Sequence, residues 1–462
     1  MAKYSPISGF PEWTPGQRRL EQQIMHSLRH VFECSGFAPL ETRSVEPLSV
    51  LLSKGDDKEI YVLKRLHDDE SAPKSAEKEQ LGLHFDLTVP FARYVVEHQH
   101  LLQFPFKRYQ MQKSWRGERP QEGRFREFYQ CDIDLIGSGK LDVAADAEMA
   151  ITLGNALKAL PVPPIDLSIN NRKVLQGFYK GLGIIEDQMV ADTLRIVDKI
   201  AKIGPDGVAG QLQESLGISD NAIEKILSLA TINSARMLGD TTFEKAKAAL
   251  NQAQGLDVTH DLFLEGLAEL EQVLQLTQGI VDIHVDLSIA RGLDYYTATV
   301  YEGTLRGHEH IGAVCAGGRY DNLIAGGKTA YPGVGVSIGL TRILGYLFGR
   351  DLIEVQAQSP TQVMIILNDE DSRSKAFQVA HKLRERHIAV EVYHTTHNFG
   401  KQLKAIQKRN IPYVLFIEKS DSASVPTAYA IKTMATGEQV TIDIDQWLPA
   451  ESYDQVSFKT HF

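Results

Sequence analysis

Residues 115–130 read WRGERPQEGRFREFYQ and pack four arginines and three glutamates into a chain whose net charge is −10. Reading 124–134 as a strand puts Arg124, Arg126, Phe128, Gln130, Asp132 and Asp134 on one face. Phe125, Tyr129, Cys131, Ile133 and Leu135 fall on the other, which is apolar enough to pack. Arg116 lies on the incoming strand, across a loop holding Gly117, Pro120 and Gly123. Guanidinium groups grip phosphate oxygens in pairs, and a phenyl ring offers a base a stacking surface. A solvated hairpin with internal Arg–Glu pairs is the plainer reading. It explains poorly why cations share a face with Phe128 and two carboxylates.

The surrounding strands extend this picture. LHFDLTVP (83–90, with Leu83 leading) sets His84, Asp86 and Thr88 on one face of an expected strand. Asp86, a carboxylate in an apolar run, needs a partner. That partner is a ligand's ammonium, Arg93 or a backbone cap. In ARGLDYYTATVYE (290–302), Arg291 and two tyrosines could furnish hydrogen bonds to a half-buried pocket, although a tyrosine pair is also ordinary strand packing. CAGGRYDNLI (315–324) reads as a glycine turn ahead of Arg319 and Asp321. YPGVGVSIGLTRILGYLF (331–348) reads as a glycine-studded strand entering a helix that carries Arg342. Its glycines are spaced GxGxxxG, which is no dinucleotide fingerprint.

Bulk properties set the frame. The 462 residues suggest roughly three domains, and 43% hydrophobic with 23% charged residues is ordinary globular composition. Three scattered cysteines and no CxxC pair argue against a disulfide framework or a zinc knuckle. The first twenty residues lack the apolar core of a secretory signal, and no apolar run approaches the ~20 residues needed to span a bilayer. A cytoplasmic protein without membrane contact is expected. Leu20, Ile24, Leu28 and Phe32 mark an amphipathic helix. Residues 171–279 read as almost wholly helical, with Phe263, Leu267, Leu270 and Leu274 on one stripe. IDLSIN and VDLSIA flank that run as echoing strands. After the polar linker 355–362, a βαβαβ pattern predicts a small parallel or mixed sheet covered by helices.

In combination these segments resemble the histidyl-tRNA synthetases, a class II aminoacyl-tRNA synthetase family, in order and over nearly the whole chain. RGERPQEGRFREFYQ is similar to class II motif 2, ARGLDYYTATVYE to the histidine-specific signature, and GGRYDNLI with GVGVSIGLTRIL to the turn and motif 3. GKQLKAIQKRNIPYVLFI resembles part of the anticodon-binding domain. The resemblance implies an α+β catalytic core, with a mixed, mainly antiparallel sheet flanked by helices, built from residues 1–170 and 280–352. It implies a helical insertion at 171–279, a C-terminal α/β anticodon-binding domain at 358–462, and a homodimer. It further implies that histidine and ATP form histidyl-adenylate, and that the aminoacyl group passes to the 3′ end of tRNA(His).

Carried onto this sequence, the resemblance assigns ATP to Arg116, Glu118, Arg124, Phe128 and Arg342. It assigns L-histidine to Asp86, Leu87, Thr88, Arg116, Gln130, Asp134, Arg291, Tyr295 and Tyr296, with Arg116 and Arg291 catalytic. Lys401, Lys404, Lys408 and Arg409 would meet tRNA, although an ordinary solvated face is the plain reading of that cluster. Mg2+ is expected with ATP and without a dedicated protein metal site. Thr341 stands where motif 3 often has glutamate, and Asp86 and Asp134 are each one methylene shorter than the common glutamates. A histidine-binding regulatory paralogue, of the ATP phosphoribosyltransferase type, and a non-catalytic tRNA-binding module are the alternatives. The first lacks an anticodon-binding domain, which 361–445 supplies here.

Overall fold

The computed structural model describes residues 4–53, 59–66, 80–290, 295–321, 325–326, 329–396, 398–417 and 428–462. The chain divides into two compact units: residues 1–11 with Met25–Tyr346, and Glu12–Ile24 with Leu347–Phe462.

The first unit is built on an eight-stranded sheet. In chain order its strands are β1 (Ala38–Pro39), β2 (Phe106–Trp115), β3 (Glu127–Ile136), β4 (Ile165–Asn171), β5 (His284–Val285), β6 (Thr299–Leu305), β7 (Cys315–Tyr320) and β8 (Gly333–Gly339). Across the sheet they run β1-β2-β3-β8-β7-β6-β4-β5. Only the outer pairs β1–β2 and β4–β5 are parallel, so the sheet is mixed and mainly antiparallel, as expected. β2 and β3 form a long hairpin in which Arg108 faces Asp134, Gln110 faces Asp132 and Gln112 faces Gln130. The other face of β3 places Cys131, Ile133 and Leu135 in the core, each at most 3% exposed. Helix α1 (Pro15–Cys34) buries Leu20, Ile24, Leu28 and Phe32 along one stripe.

The helical run is where periodicity placed it. Six α-helices lie between Arg172 and Thr277, and Phe263, Leu267, Leu270 and Leu274 are all buried. Helices Arg172–Gly181 and Asp261–Thr277 cross so closely that a Cβ at Gly177 would sit 2.2 Å from the Phe263 amide nitrogen. The run leaves β4 and returns in β5, which pairs parallel to it through Ser168–His284 and Ile169–Val285. Thus the two echoing segments are neighbours, although only Val285 of the second is strand.

Three local expectations need correction. LHFDLTVP is not a strand: β structure ends at Leu83, and Thr88 opens helix α2 (Thr88–His98). Six residues of apparent alternation could not reveal that Asp86 turns back to accept the Val89 amide at 3.0 Å. CAGGRYDNLI does not begin with a turn: 315–320 is strand β7, whose glycines lie under neighbouring backbone. The tyrosine pair of ARGLDYYTATVYE, Tyr295 and Tyr296, precedes β6 rather than lies in it.

The second unit holds a five-stranded sheet. Val363–Ile365 lies between Val390–Val392 and Tyr413–Ile417 and is parallel to both, and Tyr429–Thr433 and Gln439–Ile442 continue antiparallel. Alternation explains its two covered faces. Val363, Ile365 and Leu367 pack with Ala376, Val379 and Leu383 of helix Ser372–Glu385, whereas Met364 and Ile366 pack with Leu403 and Ile406 of helix Phe399–Lys408.

A buried ion pair locks helix α3 (Ala144–Lys158) to β7: Arg319 Nε donates to Asp146 Oδ2 at 3.0 Å, with the two side chains 8% and 0% exposed. Arg319 also donates to the Leu141 and Asp142 carbonyls. Arg319→Met strands a buried carboxylate and is expected to cost about 3–5 kcal/mol, read from urea unfolding. The double variant with Asp146→Leu recovers most of that loss. Equal losses in both variants would refute the assignment.

Candidate active site

The polar face of β3 runs from an open mouth to a closed end. Phe128 is half-buried, Gln130 is 9% exposed, Asp132 3% and Asp134 2%. Across the ladder, β8 presents Gly339, Ser337 and Gly335 to these three positions. The residues on β8 must be small. A Cβ at Gly335 would lie 2.0 Å from Asp134 Oδ1. Together with Ala316 on β7, they leave a floor over which a ligand can lie.

At the mouth, Arg116, Glu118, Gly123, Arg124, Phe128 and Arg342 surround an open pocket of about 190 Å³. Gly123 takes φ +71°, which lets the loop turn back beside Arg342. Arg116 donates to the Phe85 carbonyl at 3.0 Å and lies 5.1 Å from the Phe128 ring centroid. Glu118 stands 3.6 Å from Arg124. Arg342 donates to the Ile311 carbonyl. Burial, with Arg124 and Arg116 adding repulsion, pushes the Arg342 guanidinium down to about 10. Three guanidiniums around one cavity with a single adjacent carboxylate make a site that gains from a polyanion.

The closed end has the opposite sign. Thr88, Asp132, Asp134, Tyr296, Tyr320 and Ser337 line a cavity of about 20 Å³, which shares Ala316 and Ser337 with the mouth pocket. Asp134 is fully engaged: Arg108 lies 2.6 Å from Oδ2, and the Tyr320 hydroxyl donates to Oδ1 at 2.6 Å. Arg108 is 0% exposed, stacks 4.3 Å from the Phe91 ring centroid and donates to Gln110 Oε1 and the Leu87 carbonyl. Asp132 accepts from Ser337, whose own oxygen accepts from Gln130 Nε2 at 2.7 Å. Burial raises Asp132 to about 7, only partly offset by Arg108. Burial likewise raises Asp86 to about 6, against the Val89 amide and Arg116. Tyr295 and Tyr296 pack edge to face at 4.9 Å, and Tyr295 meets Tyr320 in the same way at 6.2 Å.

Most of the residues singled out from sequence converge. Arg116, Glu118, Arg124, Phe128, Gln130 and Arg342 line the mouth, and Thr88, Asp134 and Tyr296 line the closed end. Leu87 is buried and offers only its backbone. Arg93 pairs with Glu46, not Asp86. Arg124 and Arg126 are not on the strand, which starts at Glu127; Arg126 turns away to the Glu118 carbonyl. Arg291 lies outside the described residues. Lys401, Lys404 and Lys408 are exposed on helix Phe399–Lys408, whereas Arg409 is held by Glu391 at 2.9 Å. Thr341 is buried, and its hydroxyl accepts the Tyr129 amide at 2.8 Å. Arg108, Asp132, Tyr320 and Ser337 had no role assigned from sequence. The alternation of Arg108, Gln110, Gln112 and Ser114 in β2 was the available signal for a polar inner face.

The Histidyl-tRNA synthetase family model matches residues 9–343, and an anticodon binding domain model matches 362–450. A histidine–tRNA ligase of Micrococcus luteus is 44% identical, over 97% of this chain and 97% of its own length. That of Thermobifida fusca is 47% identical, over 96% and 98%. The crystal structure of histidyl-tRNA synthetase from Nostoc sp. PCC 7120 superposes with a TM-score of 0.81 at 34% identity, covering 96% of this chain and 98% of that one.

The raised Asp132 carboxyl has a consequence for stability. From the ordinary carboxylate range up to about 7, the folded chain keeps a proton that the unfolded chain has released. Stability therefore falls as pH rises through that window. Asp132→Asn removes the group, so the variant's stability relative to the parent should grow by about 2 kcal/mol between pH 5 and pH 8 in urea unfolding. A difference that stays flat or shrinks would show that Asp132 is already ionised at pH 5.

Proposed function

This chain belongs to the histidyl-tRNA synthetase family, and from that premise we propose a role for each end of its site. The activity is that of a histidine–tRNA ligase, with histidine, ATP and tRNA as its partners. The observation that carries the residue assignments is the placing of Arg116, Arg124 and Arg342 around one pocket that adjoins a second, carboxylate-lined one.

In this reading the triphosphate lies among the three guanidiniums and adenine stacks on Phe128, taking the place next to Arg116. Histidine lies deeper. Its α-ammonium meets Asp86, Thr88 and Gln130, and its ring faces Asp134, Tyr295 and Tyr296. At about 20 Å³ the ring pocket has room for little more than one water, so the Tyr296 ring must shift to admit an imidazole. The histidine carboxylate oxygen attacks the α-phosphorus, the bond to the β-phosphate oxygen breaks, and pyrophosphate leaves. Arg116 draws the two anions together, and the family resemblance assigns Arg291, outside the described residues, to the charge at the α-phosphate. Guanidiniums already in place avoid reorganisation as charge develops, an effect on the order of a hundredfold in rate per donor. The adenylate's carbonyl carbon is then attacked by a hydroxyl of the tRNA 3′ end, and AMP leaves.

Among the described residues no group of three or more acidic, histidine or cysteine side chains could hold a metal. Mg2+ enters this reading with ATP, on its phosphates. We further place the catalytic core at 1–170 and 280–352, an acceptor-stem clasp at 171–279 and the anticodon reader at 358–462. A cytoplasmic homodimer completes the proposal. No helix among the described residues is long and apolar enough to cross a membrane.

Purified protein should exchange pyrophosphate into ATP only when histidine is present and should charge tRNA(His). Exchange without charging would favour a module that has lost its tRNA step, and binding without exchange the regulatory reading. Reversing Lys401, Lys404 and Lys408 to glutamate should raise the KM for tRNA about tenfold or more and flatten its salt dependence, with exchange unchanged. Wild-type charging kinetics in that variant would remove the helix from the tRNA interface.

A further inference from the structure

Asp132 sits between the residues that bind the two ends of the amino acid, yet nothing in the reaction described above uses it. It occupies the middle of the β3 polar face, about 7 Å from Gln130 on one side and from Asp134 on the other, the ordinary step between alternate strand residues. Its carboxylate is tethered by Ser337 and lines the closed pocket beside Thr88, Tyr296 and Tyr320. It is 3% exposed, and Oδ1 has no hydrogen-bond partner among the described residues. Asp134 differs: both oxygens are taken, by Arg108 and Tyr320, and the Gly335 backbone packs too closely for it to turn.

We propose that Asp132 is a specificity-determining residue of the amino-acid pocket, its Oδ1 sharing a hydrogen bond with an imidazole nitrogen of the bound histidine. The inference rests on the reading that this pocket takes the histidine side chain. Charge supports it. Among the described residues three buried carboxylates, Asp86, Asp132 and Asp134, face the buried Arg108 and, at Asp86, the half-buried Arg116. Arg108 is spent on Asp134, and the substrate's ammonium meets Asp86, so Asp132 is the carboxylate whose charge is met by a proton. Burial holds that proton on Asp132 up to about pH 7, close to the ~6.5 of free imidazole. On binding, the proton lies between carboxyl and ring nitrogen, on whichever side, and no further charge enters the pocket. Among the described residues Thr88, Gln130, Ser337, Tyr296 and Tyr320 are the other polar groups at this space, and none carries a charge. A ring without a basic nitrogen leaves the carboxyl stranded, and this kind of unpaired group gives strong rejection.

The test is steady-state ATP–pyrophosphate exchange on the full chain. Histidine-dependent exchange by the wild type checks the functional reading itself, independently of Asp132. In Asp132→Ala the KM for histidine should rise about 100-fold while that for ATP stays within about twofold. Asp132→Asn, which can still hydrogen-bond but cannot pass a proton, should fall between. The preference for histidine over 2-thiazolylalanine, whose ring nitrogen is far less basic, should drop about tenfold or more in both variants. An unchanged KM for histidine would overturn the proposal. So would an equal rise for both substrates with the preference intact, which marks a merely structural residue.

Discussion

A guanidinium with no solvent contact, Arg108, is held 2.6 Å from the Asp134 carboxylate, and the site is arranged around that pair. Burying either charge alone is prohibitive, and even together they are weak stabilisers. The pair is tolerated because every neighbour serves it. Phe91 lies under the guanidinium, Gln110 and the Leu87 carbonyl accept from its two terminal nitrogens, and the Tyr320 hydroxyl closes the far side of the carboxylate. These contacts join β2, β3, β7 and the start of α2, so the pair sets the position of each relative to the others. Gly335 follows as a necessity, since a side chain there would strike Asp134.

From this anchor the polar face of β3 becomes a ruler. Each second residue steps toward solvent, from Asp134 through Asp132 and Gln130 to Phe128, and the environment changes sign along the way. The deep end holds more carboxylates than cations. The mouth holds more guanidiniums than carboxylates, and burial together with the Arg124 and Arg116 charges pulls Arg342 down to about 10. An amino acid joined to a nucleotide carries the complementary sequence of charges: ammonium, carboxylate, phosphates. In the binding mode proposed for this site, such a gradient would orient both reactants before any chemistry occurs, and orientation is a large part of lowering such a barrier.

The α+β core, the helical run between Arg172 and Thr277 and the C-terminal sheet were legible because long periodic segments leave little choice. Leu20 to Phe32 and Phe263 to Leu274 can bury their stripes only as helices. Short segments misled. Asp86 sits in a stretch that alternates like a strand, but its carboxylate competes for a backbone amide and ends the strand early. Arg124 and Arg126 were grouped with Phe128 by parity, yet the hairpin loop extends to them and breaks the parity. Arg409 was counted with the lysines until Glu391, eighteen positions away in sequence, took its charge.

By itself the sequence determined the family and the reaction, because motif residues must lie at set spacings along single strands and turns. It also determined which face of β3 is polar, since alternation is a property of the extended chain alone. Only the tertiary structure decided which carboxylate is spent and which is free. Asp132 and Asp134 are equivalent by parity and chemistry. What separates them is the company brought from β2, β7 and β8: a cation and a hydroxyl for one, a serine for the other. The state of a buried charge is fixed by its neighbours in space, and no local pattern in the chain records those neighbours.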